Sequence, residues 1–363
     1  MTPAPPQPDI LMVGYFPPEG AVAELFFTIS AALAERVAVA TLAPDHLEAV
    51  PGSIADHRFP YSSRRPDRAV SGRGWTAHRA AAAASPRVAM FFTQHPLNVV
   101  AAACLRRSRL ALWWHEPVGR GQAGVQRRVV YGTHDRLIVP RCDTIVVASE
   151  SVRISVPDRY RRRCVVVPFP GPIGFEDASV RFQASRTDLV FFGKLETYKG
   201  LDTLADALVL LERRGLTPTL RVVGPGRLDA ASPRMAAFCE SRPGRVDRVD
   251  EYAPAADIAS ALHAGDVCVL PYLSAAGSSA IAVAGMQRSA LIASSAGSFG
   301  DYLIDHLNAR LHPPGDEERL AAVIEELLLD SDQRRRLGEA LYDLQAERFG
   351  SAVAAEALIA ALQ

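Results

Sequence analysis

The sequence predicts an α/β protein made of two consecutive doubly wound domains that face each other across a cleft. Three observations lead there. Short apolar runs of strand length alternate with longer segments of helical period, and the alternation occurs in two separate sets. A stretch rich in Pro and Gly, residues 169–188, interrupts the rhythm between the sets. The 363 residues also suit two domains of ordinary size. The expected division is a first domain over 1–170, a linker over 171–188 and a second domain over 189–348. Residues 349–363 are expected to form a helix that crosses back to the first domain.

The elements follow in order. Residues 9–15 (DILMVGY) read as a buried strand, 16–20 (FPPEG) as a turn, 21–35 as a helix with an apolar face, and 37–42 as the next strand. Strands are then expected at 88–93, 110–114, 144–148 and 164–167, with helices at 97–106, 126–138 and 150–156 between them. Residues 60–76 carry no recognisable pattern and read as a variable loop. In the second set, strands at 189–192, 219–223, 267–270 and 290–293 alternate with helices at 201–214, 231–241, 256–264 and 279–286. Helices at 316–329 and 331–348 close that domain, and 351–362 stands apart as an apolar helix. Such alternation implies parallel sheets covered on both faces.

Composition narrows the function. Apolar residues are 48% of the chain and charged residues 22%, which excludes a disordered, collagen-like or coiled-coil protein. The apolar runs fall short of the roughly 20 residues that span a bilayer, and no basic segment of signal-peptide type opens the chain, so a cytoplasmic protein is expected. The five cysteines are scattered, with neither a disulfide framework nor zinc spacing. Formal net charge is +0, but residues 1–175 hold 21 Arg against 13 Asp or Glu, a balance of +8, leaving −8 for the rest. The basic half, with Arg106 to Arg109 and Arg159 to Arg163, suits an anionic acceptor or the inner face of a membrane; ordinary surface charge is the plain alternative. No nucleic-acid partner is expected. Of the 40 basic residues only Lys194 and Lys199 are Lys, five apart in one glycine-bounded segment.

Open α/β sheets bind ligands beyond the carboxyl ends of their strands. Glycine-bearing turns are expected there at Gly20, Gly193, Gly224 to Gly226, and Gly277 to Ser279, where backbone can approach a ligand and N–H groups can meet phosphate. Each alone is also what any strand-to-helix connection requires. No GxxxxGK[ST] loop and no GxGxxG is present, and no DxD pair offers itself to a metal.

Residues 193–204 (GKLETYKGLDTL) resemble the G-[RK]-L-x-x-x-K-G-x-x-x-L signature of family 4 retaining glycosyltransferases, which have the two-domain GT-B fold. The resemblance extends along the chain. FPPEGAVA at 16–23 is similar to the family's P-P-x-x-G-G loop, with Ala21 in place of the second glycine. His115-Glu116-Pro117 is similar to H-D-P, and 145–151, 222–226, 264–271 and 308–316 resemble its later segments. The resemblance implies that Lys194 and Lys199 hold the donor diphosphate and that His115 lies beside the donor sugar. Gly193, Gly224, Gly226, Tyr272, Gly277, Ser278 and Ser279 would line the nucleotide-sugar site, and Gly20 and Ala21 an acceptor or phosphate loop. The chain departs from the family at E-x7-E, where Ala275 and Val283 stand in place of both glutamates.

The expectation is therefore a retaining, metal-independent transferase. It would move a sugar from a nucleotide diphosphate to a hydroxyl of a saccharide, lipid-linked or small-molecule acceptor, with no cofactor besides that donor. Two alternatives stay open. A catalytically silent GT-B module that binds a sugar or partners another transferase would suit the missing glutamates. A sugar-nucleotide epimerase would need acid-base carboxylates, for which Glu116 and Asp301 are the candidates.

Overall fold

In a computed structural model, the structure describes residues 7–18, 21–62, 65–115, 131–132, 134–171, 187–251, 258–259, 261–262, 265–277 and 279–363. The chain divides into two compact units, residues 1–170 together with 351–363, and residues 171–350.

The first unit is built on a parallel sheet of β1 (Ile10–Val13), β2 (Val39–Pro44), β3 (Ala55–Phe59), β4 (Val88–Phe91), β5 (Arg109–Trp113), β6 (Thr144–Val147) and β7 (Cys164–Val166). Their order is β3-β2-β1-β4-β5-β6-β7, with Ile10 opposite Val39 on one side and Val88 on the other. β1, β2, β4 and β6 are buried throughout, as helices on both faces require, which is why these strands read as unbroken apolar runs. The order reverses between β1 and β4. That switch point opens a crevice at the carboxyl ends of the two strands, the usual ligand position of the doubly wound fold.

The second unit repeats the plan with β8 (Thr187–Phe192), β9 (Leu220–Val223), β10 (Val246–Val249), β11 (Gly265–Leu270), β12 (Ala290–Ser294) and β13 (Arg310–His312). The parallel order is β10-β9-β8-β11-β12-β13, so its switch point lies between β8 and β11. After Gly350 the last helix, Ser351–Leu362, packs in the first unit. Its Ala354, Ala355, Leu358 and Leu362 join the core that holds Phe26, Ile29 and Leu33. Thr144 Oγ1 donates to Ala361 O at 3.2 Å, and Arg109 donates to Leu362 O and Gln363 O at 3.2 and 2.8 Å, so a cation meets the negative end of that helix.

The structure corrects the sequence expectation in several places. Residues 60–76 are no simple loop: a 3₁₀ turn spans Pro66–Val70 and the helix Arg73–Ala83 begins at Arg73. Three strands escaped notice, β3 (ADHRF), β10 (VDRV) and β13 (RLH), all at sheet edges where only one neighbour and partial cover are needed. Most of the expected linker 171–188 and parts of the expected helices at 126–138 and 256–264 lie outside the described residues. Among the described residues no helix is long and apolar enough to cross a membrane.

Candidate functional site

At the switch point of the second unit, β8 ends at Phe192 and the chain turns through Gly193 at φ +119°. Its N–H donates to Val223 O at 2.8 Å, which joins it to the end of β9. A Cβ on Gly224 (φ +145°) would lie 2.3 Å from Gly193 O, so the two turns pack backbone to backbone only because residue 224 is glycine. Leu195 N donates to Pro225 O at 2.8 Å, and Gly226 lies against Leu195. Gly224 and Gly226 thus brace the loop that carries Lys194. Gly193 faces Lys199 Nζ and Tyr272 Oη, each just under 4 Å from where its Cβ would be.

Lys199 closes the 3₁₀ turn Thr197–Lys199 ahead of the helix Leu201–Arg213. Its Nζ donates to Tyr272 Oη at 2.5 Å and sits 3.8 Å from the centre of that ring and 5.2 Å from the Tyr198 ring. Tyr272, just beyond β11, is itself pinned. It is buried, its ring lies 5.0 Å from that of Phe299, and its carbonyl accepts from Ser294 Oγ at 2.5 Å. The two tyrosine rings orient the ammonium before any anionic ligand arrives. Lys194 differs: it is exposed and paired with Glu196 at 2.9 Å. Burial pushes the Glu196 carboxyl up, but the bond and charge of Lys194, a bond from Tyr198 and the charge of Lys199 outweigh it and hold the group below its ordinary range.

Gly277 and Ser279 lie half-buried just ahead of the helix Ala280–Met286, while Ser278 lies outside the described residues. Ala275 and Val283 are buried, 8% and 4% exposed, with Val283 inside the core of the unit. A glutamate at either position would therefore start from an apolar setting.

In the first unit, His115 follows β5. Its Nε2 donates to Phe92 O at 2.6 Å, which leaves Nδ1 as the acceptor of a neutral ring. The imidazole stacks on Trp113 at 6.1 Å with 7° between planes and is flanked by Phe169 at 5.2 Å. Burial among these rings pulls its pKa down to about 4 despite the carbonyl bond, so it stays uncharged at neutral pH. Ala21 is the exposed first residue of the helix Ala21–Ala34; Gly20 lies outside the described residues.

Sequence reasoning missed a polar row at the same sheet edge. Tyr15 follows β1 and bonds His78 Nε2 at 2.7 Å, while Gln94 and His95 follow β4. Behind them Asn98, His134 and Asp135 form a connected chain of hydrogen bonds. These residues are dispersed and match no motif. The available signal was positional: Gln94 and His95 come directly after an apolar strand next to the switch point.

Two comparisons with known proteins bear on this geometry. Residues 186–330, which contain the Lys194 and Lys199 loop and Tyr272, match the family model Glycosyl transferases group 1. The fold is GT-B. HepE of Anabaena, solved in complex with UDP, superposes with a TM-score of 0.75 at 16% identity over 98% of this chain and 99% of its own. Sucrose-phosphate synthase from Thermosynechococcus elongatus gives 0.74 at 17% identity over 97% and 98%. The lipopolysaccharide outer core galactosyltransferase WaaB gives 0.66 at 14% identity over 97% and 98%. No curated protein sequence matches the chain. The family match and the GT-B neighbours together support a GT-B glycosyltransferase.

Proposed function

We propose that this chain is a retaining, metal-independent glycosyltransferase that moves a sugar from a nucleoside diphosphate donor to an acceptor hydroxyl. The observation that carries the reading is the meeting of Lys199, Tyr272 and Gly193 at the β8–β11 switch point, inside the segment matched by the transferase family model. HepE, similar in fold, is solved with UDP-glucose, which makes a uridine donor the first to try. Lys199 would meet the diphosphate and strengthen its hold as the leaving group gains charge, which favours the transition state over the ground state. Lys194 would reach the same anion by leaving Glu196. Neutral His115 would offer Nδ1 to a donor hydroxyl. The bond would break on the face where the acceptor attacks, with the departing phosphate taking the acceptor proton, so retention needs no enzymic nucleophile.

A thermal-shift titration with UDP and UDP-glucose tests the reading. At 100 times the dissociation constant a ligand adds about 2.7 kcal/mol of stability. The shift, and sugar transfer, are expected to persist in EDTA, because two ammonium groups supply the charge a metal would otherwise bring. Transfer lost on chelation and restored by Mg²⁺ or Mn²⁺ would refute metal independence. The silent-module alternative is favoured by apolar Ala275 and Val283, and predicts the UDP shift without UDP release from UDP-glucose.

The basic stretches suit a surface rather than this site. Arg106 and Arg107 precede β5, Arg109 opens it, and Arg159 to Arg163 precede β7, so in a parallel sheet both stretches lie at the amino edge, opposite the edge of His115. Arg107, Arg159 and Arg162 are exposed there. Binding to anionic vesicles is expected, and to weaken strongly at 0.5 M salt, where the Debye length is about 4 Å. Equal, salt-independent binding to neutral and anionic vesicles would contradict it.

A further inference from the structure

The polar row beside His115 has a defined proton arrangement. Asn98 Nδ2 donates to Thr93 O at 2.6 Å and to His134 Nε2 at 3.0 Å; the amide cannot be turned over, since its oxygen would then face Thr93 O. His134 Nε2 is therefore an acceptor, and the ring proton sits on Nδ1, donated to Asp135 Oδ1 at 2.9 Å. Gln94 Nε2 donates to the same oxygen at 3.2 Å. Asn98 and His134 are buried, whereas the Asp135 side chain is 26% exposed. Asp135 is thus aimed from behind by two donors that both use one oxygen. Asn98 Oδ1 is a further buried acceptor with no partner among the described residues.

The second half of the row is aromatic. Leu97 N donates to His95 Nδ1 at 3.2 Å, so the His95 proton sits on Nε2, beside Tyr61 Oη at 3.3 Å. The ring stacks on Tyr15 at 5.0 Å, and Tyr15 is held by His78, whose Nδ1 donates to Gly74 O at 2.8 Å. His95 is therefore a neutral imidazole between tyrosines. β4 and β5 are neighbours and His115 bonds Phe92 O, two residues before Gln94, so the row and His115 share one stretch of the sheet edge.

We infer that Gln94, His95 and Asp135 recognise the acceptor, and that the acceptor presents uncharged hydroxyls, as a sugar or polyol does. This rests on the transferase reading above. A carboxylate with one oxygen committed to the protein accepts hydroxyl protons with the other, an amide and a neutral imidazole complete the pattern, and the half-buried ring of Tyr61 suits the apolar face of a sugar, whereas Tyr15 is buried beneath His95. Among the described residues none of the groups in this row is a cation that could meet a phosphate or carboxylate on the ligand. Asp135 and Gln94 act by direct contact; His134 and Asn98 are positioning residues.

Saturation-transfer NMR of the full chain with glucose, galactose, mannose and glucose 6-phosphate tests the inference, using the wild type, Asp135→Asn and Gln94→Ala. At least one neutral hexose is expected to bind the wild type, about tenfold weaker to Asp135→Asn and about threefold weaker to Gln94→Ala. Glucose 6-phosphate is expected to bind no more tightly than glucose. The UDP melting shift should be the same in all three proteins. Hexose affinity equal in the wild type and both variants, a phosphate preference of tenfold, or no hexose signal in the wild type would each overturn the inference. Absence of a UDP shift in the wild type would instead defeat the transferase reading, while the hexose titrations still report on this site.

Discussion

Lys199→Ala is expected to lower turnover about 100-fold or more, a loss of about 2.7 kcal/mol of transition-state stabilisation. The side chain stands half-buried over Tyr272, so its charge acts where water is partly excluded and its geometry is set before the donor arrives. The variant should keep its fold, since removing an ammonium from an aromatic face leaves Tyr272 packed against Phe299 and bonded to Ser294. Lys194→Ala should cost less, because Lys194 is exposed and must leave Glu196 to reach a ligand. Initial rates of UDP release, read beside melting curves, separate these effects. Turnover unchanged in Lys199→Ala would remove the diphosphate assignment.

Val283→Glu is expected to destabilise the protein by about 3 kcal/mol or more. For a unit of this size that lowers Tm by about 6–12 °C. Val283 is 4% exposed and belongs to the core of its unit, so a carboxylate introduced there is buried without a partner or forces the helix Ala280–Met286 to shift. In the resembled family a glutamate occupies this place and contacts the donor. If this helix is set as in that family, the variant would instead tighten UDP binding with Tm unchanged. Calorimetry of UDP binding beside a melting curve decides between the two outcomes, and the burial of Val283 favours the first.

The legible parts of the fold were those whose physics is local. β1, β4, β12 and residues 189–192 of β8 are buried on both sides, which demands consecutive apolar residues, and such runs stand out in the sequence. β13 was illegible for the opposite reason. Its Arg310 is 1% exposed yet charged, and burial is tolerable only because Asp305, at 2.9 Å, and Glu326 pair with it. One of those partners comes from the helix Glu317–Leu329, so the strand could not be recognised from its own residues. The helix Arg73–Ala83 was hidden similarly: its few buried residues are Gly74, Ala77, His78 and Ala81, too small or too polar to make an apolar stripe.

The sequence by itself determined the two parallel sheets, the break between them and the segment that carries Lys194 and Lys199, because buried-strand runs, glycine turns and motif spacing are all properties of neighbouring residues. It also marked Gly193 and Gly224 as turns where backbone could approach a ligand. Only the tertiary structure decided that they pack backbone to backbone, that Lys199 rests on Tyr272, 73 positions away, and that Lys194 does not. The same holds for the row from Tyr15 to Asp135, whose members come from separate strands and helices. Strand order brings their ends together, and hydrogen bonds between distant residues then assign each proton. Strand order is a property of the whole sheet, so no window of sequence contains it.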